Sequence, residues 1–341
     1  MKDLKKIRGV NIGGWLVLER WMTPSLFGGL NAKDETDFVN ELGDQAGERL
    51  KQHRDQFITE KDFEWLHSVG VNTIRIPVGH WIFGDCPPYV GAIEYLDWAM
   101  DMAYEYEIGV LIDFHAAPGC QNGFDNGGIS GVMEWHKHKE NIESSIHFIE
   151  RLANRYADSP ALWGIQLLNE PHWKVPMDIL QDYYCRAYDV ARQYLNEKTT
   201  IVMHDGFRLN EWEDFFKNHE FKNVILDTHM YQCFREEDSS KRINDHLNET
   251  LIDRSHAITE VSQYVDVCVG EWSLGLRPEC LKDESVYNQS TLIPTLYGLS
   301  QILANEKGIG WFFWSYKLEE NVMPHWSFRE SVTRGWLPNQ F

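Results

Sequence analysis

Two carboxylates at the ends of apolar runs are the residues of this chain best placed to do chemistry. Residues 163–171 read as a buried strand that ends in an amide, Glu170 and a proline, which cannot continue a strand ladder. Glu271 ends a second run, residues 266–271. A carboxylate beside an apolar core is rarely found without an interaction partner or a functional role. Taken alone, Glu170 is also compatible with a cap on the following helix.

A pair of carboxyl groups is what glycoside hydrolysis requires. One is a protonated acid with a raised pKa, and the other is ionised and attacks the anomeric carbon. The two carboxyl groups lie about 5–5.5 Å apart when configuration is retained. Arg75 and the hydroxyl of Tyr231 are candidates to hold Glu271 ionised. Asn169 is placed to bind the sugar 2-hydroxyl. The pattern therefore predicts a protonated Glu170 opposite an ionised Glu271.

The elements that must position these groups alternate between strand-like and helix-like segments, without a Pro/Ser-rich linker. Such alternation predicts a parallel sheet, and eight strands predict a closed barrel. Residues 1–341 are expected to form one catalytic domain, a single (β/α)8 TIM barrel of the α/β class. Helices are expected within 31–54, over 59–69 with Thr59 as N-cap, and over 292–305. The predicted strands are residues 7–11, 73–78, 110–115, 163–171, 200–204, 224–229, 266–271 and 310–315.

The carboxyl ends of barrel strands collect catalytic residues on one face. Singly, Arg75 could be a buried ion-pair partner, a histidine could be an ordinary core residue, and Trp314 could plug the barrel. Polar or aromatic groups delivered by six strands to one face favour a functional site instead. The candidates are Arg75, His115, Asn169, Glu170, His229, Tyr231, Glu271 and Trp314.

Charge and composition limit the classes of molecule that this protein is expected to bind. The 341 residues carry 32 Lys+Arg against 52 Asp+Glu, a formal net charge of −20, which argues against nucleic acid or an anionic membrane. A neutral substrate is compatible, and 14 Trp suit the flat faces of sugars. No stretch reaches the ~18 apolar residues of a membrane span. The charged start lacks an apolar signal region, so a cytoplasmic location is expected unless a signal was removed. Six cysteines without CxxC spacing indicate free thiols.

Several short motifs occur in a fixed order over residues 9–316. Together they make the chain resemble a retaining glycoside hydrolase of family 5, in which the acid/base and the nucleophile lie on strands four and seven. The resemblance implies Glu170 as acid/base and Glu271 as nucleophile, with no metal and no cofactor. The motifs are Arg75-Ile76-Pro77, Phe114-His115, Leu168-Asn169-Glu170-Pro171, His229-Met230-Tyr231, Gly270-Glu271-Trp272 and Trp314.

Two further segments, residues 13–19 and 117–126, resemble the fungal-type exo-β-1,3-glucanases. This likeness implies that Glu19 binds the terminal glucose and that Phe124 and Phe234 clamp the next unit. Asn126, in the second segment, is a further substrate-binding candidate. The implied protein is a monomer that releases glucose from β-1,3-glucans and oligosaccharides. The alternative within the family is an endo-acting β-1,4- or β-1,3/1,4-glucanase.

Two other classes of function remain open. A metal-dependent barrel hydrolase could use His115, His204 and His229, but strand one carries no His-x-His, and a metal site needs three or more ligands on facing strands. A non-catalytic glycan-binding barrel is disfavoured because both carboxylates are present.

Overall fold

The computed structural model describes residues 6–320 and 322–341. Eight parallel strands hydrogen-bond in chain order, and β8 closes on β1 through pairs such as Val10 with Phe313. The predicted (β/α)8 barrel is confirmed. The strands are β1 (Ile7–Asn11), β2 (Thr73–Gly79), β3 (Gly109–Ala116), β4 (Leu162–Gln166), β5 (Thr200–His204), β6 (Val224–His229), β7 (Asp266–Trp272) and β8 (Gly310–Phe313).

Helices cover the outside of the barrel. The polar region 31–54, where one helix was expected, contains one complete helix and most of a second. Thr59 is the N-cap of its helix, as predicted, and it also forms a capping box, in which its backbone N–H donates to the Asp62 carboxylate at 2.8 Å. The helices are α1 (Glu35–Leu42), α2 (Ala46–Phe57), α3 (Glu60–Ser68), α4 (Ile93–Glu105), α5 (Lys139–Tyr156), α6 (Met177–Arg192), α7 (Glu213–Asn218), α8 (Ile243–Asn248), α9 (Ser255–Val261), α10 (Ile293–Asn305) and α11 (Phe328–Thr333).

The barrel interior holds an apolar cluster and a polar network. Leu111, Val202 and Phe312 belong to a buried cluster of strand residues. A network of buried polar side chains accompanies it: Gln166 accepts a hydrogen bond from Arg75 at 2.7 Å and donates one to Asp227 at 2.8 Å. Because buried polar groups must be paired, this network ties the strands together beside the site.

Two expectations about the chain as a whole can be compared with the structure. All six cysteines are free, as predicted. Over residues 6–320 and 322–341, no helix combines the length and the apolar character that crossing a membrane requires.

Candidate active site

Glu170 lies four residues beyond the end of β4, on a loop tied to the neighbouring strand. The backbone N–H of Asn169 donates to the Phe114 carbonyl at 2.8 Å, and Glu170 itself has a φ of +41°. A left-handed conformation is uncommon for a residue other than glycine and marks a constrained backbone. One carboxyl oxygen of Glu170 lies 2.7 Å from His229 Nδ1, and the other accepts a hydrogen bond from Asn126 at 3.0 Å. Asn126 therefore holds the carboxylate in place.

Glu271 lies within β7 and is 4 % exposed. Its Oε1 accepts a hydrogen bond from Arg75 at 3.1 Å, and its Oε2 accepts one from the Tyr231 hydroxyl at 2.8 Å. The two groups predicted from the sequence to support Glu271 are thus both in contact with it.

The sequence suggested that Arg75 lies at the end of a strand, but in the structure it does not. It is the third residue of β2 and is completely buried inside the barrel. It pairs with Asp113 at 3.1 Å and donates to Oδ1 of Asn169 at 2.6 Å. This second bond fixes the amide of Asn169, so that its nitrogen is directed away from Arg75 and lies 3.4 Å from His115 Nε2.

His229 connects the two candidate catalytic carboxylates. Its Nδ1 lies 2.7 Å from Glu170 Oε1 and 3.4 Å from Glu271 Oε2, so these oxygens are no farther apart than the sum of the two distances, 6.1 Å. This bound on the nearest oxygens is compatible with the ~5–5.5 Å between the carboxyl groups of a retaining site. The other ring nitrogen of His229 lies 3.1 Å from the Asp227 carboxylate.

Three carboxylates surround the imidazole ring of His229 and shift the pKa values of the groups in this cluster. Burial lowers the pKa of His229, but Glu271 and Asp227, together with the hydrogen bond to Glu170, raise it well above its usual range. Burial raises the pKa of Glu170, but the hydrogen bond and charge of His229 outweigh burial and lower it to about 2. For Glu271 burial prevails over the charge of His229, and its pKa is raised. The prediction of a raised pKa for Glu170 is therefore wrong for the ligand-free protein.

His115 and Trp314 form one wall of the site. Their rings are parallel, with centroids 5.6 Å apart, and His115 Nδ1 lies 2.5 Å from the Asp113 carboxylate. A Cβ at Gly13 would lie only 2.9 Å from the Trp314 ring. The glycine bend after β1 is therefore required for the tryptophan to reach this position.

Glu19 and four aromatic rings form a second wall. Trp21 donates its indole N–H to Glu19 at 2.8 Å and meets Trp326 edge-on, with centroids 5.5 Å apart. Trp326 in turn lies 5.3 Å from Tyr231, and Phe234 lies 5.2 Å from the same tyrosine with 67 % of its surface exposed. Sequence reasoning missed Trp21 and Trp326. Trp21 follows Glu19 by two residues, which was an available signal, whereas the position of Trp326 depends on a loop after β8.

Phe124 lies on the loop after β3 and is half-buried. Its ring centroid is 6.0 Å from that of His172, which stacks on Trp173 at 3.8 Å. Trp173 is 51 % exposed. The two predicted clamp residues, Phe124 and Phe234, are therefore each supported by aromatic neighbours at the barrel mouth.

A family model described as Cellulase (glycosyl hydrolase family 5) matches residues 37–320. The chain is also 34 % identical, over 99 % of its length and 89 % of the relative, to "Glucan 1,3-beta-glucosidase 1" of Schizosaccharomyces pombe. It is 35 % identical, over 98 % of its length and 90 % of the relative, to "Probable glucan 1,3-beta-glucosidase A" of Emericella nidulans. The chain belongs to glycosyl hydrolase family 5. As a member of that family, it is a glycoside hydrolase.

Solved structures agree on the architecture of this family 5 enzyme. A rutinosidase from Aspergillus niger superimposes with a TM-score of 0.82 at 21 % identity, and the match covers 97 % of each chain. At that identity the likeness shows the fold alone.

Proposed function

We propose that this family 5 enzyme is an exo-acting glucan 1,3-β-glucosidase, which removes glucose from the ends of β-1,3-glucans and their oligosaccharides. The observation that carries the proposal is the pair of carboxylates, Glu170 and Glu271, held on one nitrogen of His229 at a separation suited to retention. The glucan 1,3-β-glucosidase names of the near-full-length relatives support the linkage.

The proposed reaction proceeds in two displacements. In the first, the Glu271 carboxylate attacks the anomeric carbon while protonated Glu170 gives its proton to the glycosidic oxygen, so the C–O bond breaks and a glycosyl ester forms. In the second, ionised Glu170 takes a proton from water, and the water oxygen attacks the anomeric carbon. The ester bond to Glu271 then breaks, which frees Glu271 and releases β-glucose. Tyr231 and Arg75 remain bonded to Glu271 and orient it for attack.

His229 is the proposed source of the acid proton. Its Nδ1 is hydrogen-bonded to Glu170 at 2.7 Å, so one proton shift converts an imidazolium and a carboxylate into a neutral pair with Glu170 protonated. Substrate that displaces water from the site favours the neutral pair, because desolvation penalises charged forms. His229 retains its bond to Asp227 in either state.

Different residues around the site would contact different parts of the substrate. Asn169 would bind the 2-hydroxyl of the reacting glucose, His115 and Trp314 would bind the same sugar, and Glu19 would accept hydrogen bonds from its far hydroxyls. Glu19 is 5 % exposed, and its pKa is raised well above the usual range by burial and by the charge of Asp125; this burial supports its proposed place at the closed end of a pocket. Phe124 and Phe234 would hold the second unit at the mouth. Residues 1–341 would act as a single, monomeric catalytic domain on a neutral β-glucan.

Chromatography of early laminarin digests tests the exo action. Glucose as the sole initial product supports a closed pocket. A ladder of oligosaccharides from the first time points would instead establish the endo-acting alternative. Parallel digests of cellulose and lichenan oligosaccharides test the linkage, and faster release from these than from laminari-oligosaccharides would contradict a β-1,3 preference.

A further inference from the structure

A buried imidazole nitrogen next to the catalytic carboxylates has no partner. His204 ends β5 and is completely buried. Its Nδ1 accepts the Gly206 backbone N–H at 2.9 Å, whereas its Nε2 has no hydrogen-bond partner within the part of the chain that the structure describes. An unpaired buried polar atom destabilises the folded protein, because its desolvation is not compensated by a hydrogen bond. Such an atom in a native structure points to a missing partner, for example an ion.

The surroundings of His204 have the composition of a metal site. Glu170, His204 and His229 each offer one ligand atom, and these atoms lie within 4.8 Å of one another. The two imidazole rings are nearly perpendicular, with centroids 4.4 Å apart. Two imidazoles and a carboxylate from three successive strand ends are a donor set that Zn²⁺ and Cu²⁺ prefer, with a fourth position open to water.

Each histidine is backed by a carboxylate on its far nitrogen. His229 Nε2 lies 3.1 Å from Asp227, and His204 Nδ1 lies 3.5 Å from Asp205. Both aspartates accept backbone N–H groups of their own, so their positions are fixed. A carboxylate behind a histidine orients the ring and strengthens the near nitrogen as a metal ligand.

We propose that Glu170, His204 and His229 bind a divalent transition-metal ion, with Zn²⁺ as the representative, and that the ion inhibits the enzyme by occupying Glu170. The inhibition rests on the proposed function, but the binding does not. Binding moves the ring proton of His204 from Nε2 to Nδ1, where it turns from Gly206 towards Asp205. It also releases to solvent the Nδ1 proton that His229 shares with Glu170, because a metal ligand must be deprotonated. Zinc bonds of about 2.0–2.1 Å further require the ligand atoms to draw together. These costs make the ion a reversible inhibitor.

Calorimetric titration of the chelator-treated full chain with zinc chloride measures binding directly. The wild type is expected to bind one equivalent, and His204→Gln at least ~10-fold more weakly, because an amide is a poor ligand for zinc. His256→Gln is the matched control, since His256 forms an exposed pair with Glu260 on α9, outside the site. It should bind zinc as the wild type does.

A second variant covers the case in which His204→Gln does not fold. Glu170→Ala, followed by calorimetry alone, is expected to lose the same equivalent. The proposal would be overturned if the wild type lacked a one-to-one zinc site. It would also be overturned if zinc binding were unchanged in His204→Gln and Glu170→Ala. In kinetics, zinc should compete with an aryl β-glucoside, and binding without competition would overturn the inhibitory role. Zinc binding by an enzyme inactive on every β-glucoside would contradict the proposed function and leave the metal site standing.

Discussion

At the scale of single residues, the proposed roles of the two carboxylates predict different dependences on the leaving group of the substrate. In the proposed mechanism, Glu170 is required only where the leaving group needs a proton. Glu170→Ala should therefore slow hydrolysis of glucan by about 10²–10⁴-fold, the usual contribution of a general acid, but slow formation of the glycosyl-enzyme from a dinitrophenyl glucoside far less. Added azide should restore turnover of that substrate and yield the β-glucosyl azide. An equal loss on both substrates, with no azide product, would contradict the acid/base assignment.

The pH dependence should depend on His229. Because three carboxylates raise the pKa of His229, the wild type should lose kcat/KM on the basic side only as pH passes through that raised pKa. In His229→Asn the acid proton must reside on a carboxyl group, whose ordinary pKa is lower, so the basic limb should shift to lower pH. Profiles of kcat/KM on an aryl glucoside measure the shift. A basic limb that stays in place would assign it to another group.

Sequence reasoning identified the two carboxylates of the site but not the protonation of Glu170. Residue type and strand position were enough for Glu170, Glu271 and the contacts of Tyr231. The state of Glu170 depends on His229, which is 59 residues away and lies between carboxylates from three strands. Such a charge arrangement is a property of the folded barrel. The same reason hid the unpaired nitrogen of His204, which is visible only once its neighbours are placed.

At the scale of elements, apolar runs bounded by turn residues located every strand, and the errors lie at the strand ends. The strand before Glu170 stops at Gln166 because the chain turns there to bring Asn169 and Glu170 over the barrel mouth. Arg75 was expected at an end of β2, but its position in the middle of the strand follows from pairing with buried partners on other strands. Periodicity does not report such partners, which belong to the whole sheet.

β7 and β6 approach closely through Gly270. Its N–H donates to Asp227 at 2.6 Å, and an added Cβ would overlap that carboxylate. Gly270→Ala should therefore cost about 1–3 kcal/mol of stability, as overpacking does, and should lower activity by displacing the Asp227–His229 pair. Gly47→Ala, on α2 with open space around it, is the control and should be neutral or slightly stabilising. Urea unfolding measures both, and equal stability of the two variants would contradict this account.

At the scale of the whole molecule, the formal charge of −20 should repel anionic substrates and leave neutral ones unaffected. Hydrolysis of a carboxymethylated β-1,3-glucan should accelerate as salt is raised to about 0.2 M, where the screening length falls below ~10 Å. Hydrolysis of neutral laminari-oligosaccharides should change little over the same range and serves as the control. A neutral substrate with the same salt response would show that charge repulsion is not the cause.

The closed barrel brings Glu271 on β7 to within reach of a sugar held by the loops of the other strands, and the central claim is that this residue becomes covalently glycosylated. Incubation with a 2-deoxy-2-fluoro-β-glucoside that carries a good leaving group should inactivate the enzyme. The fluorine slows both displacements, whereas the good leaving group accelerates only the first, so the glycosyl-enzyme accumulates. Mass spectrometry of the intact chain and its peptides is the direct measurement. The account predicts one fluoroglucosyl group per chain, located on Glu271. Attachment to another residue, or turnover without any covalent adduct, would contradict it.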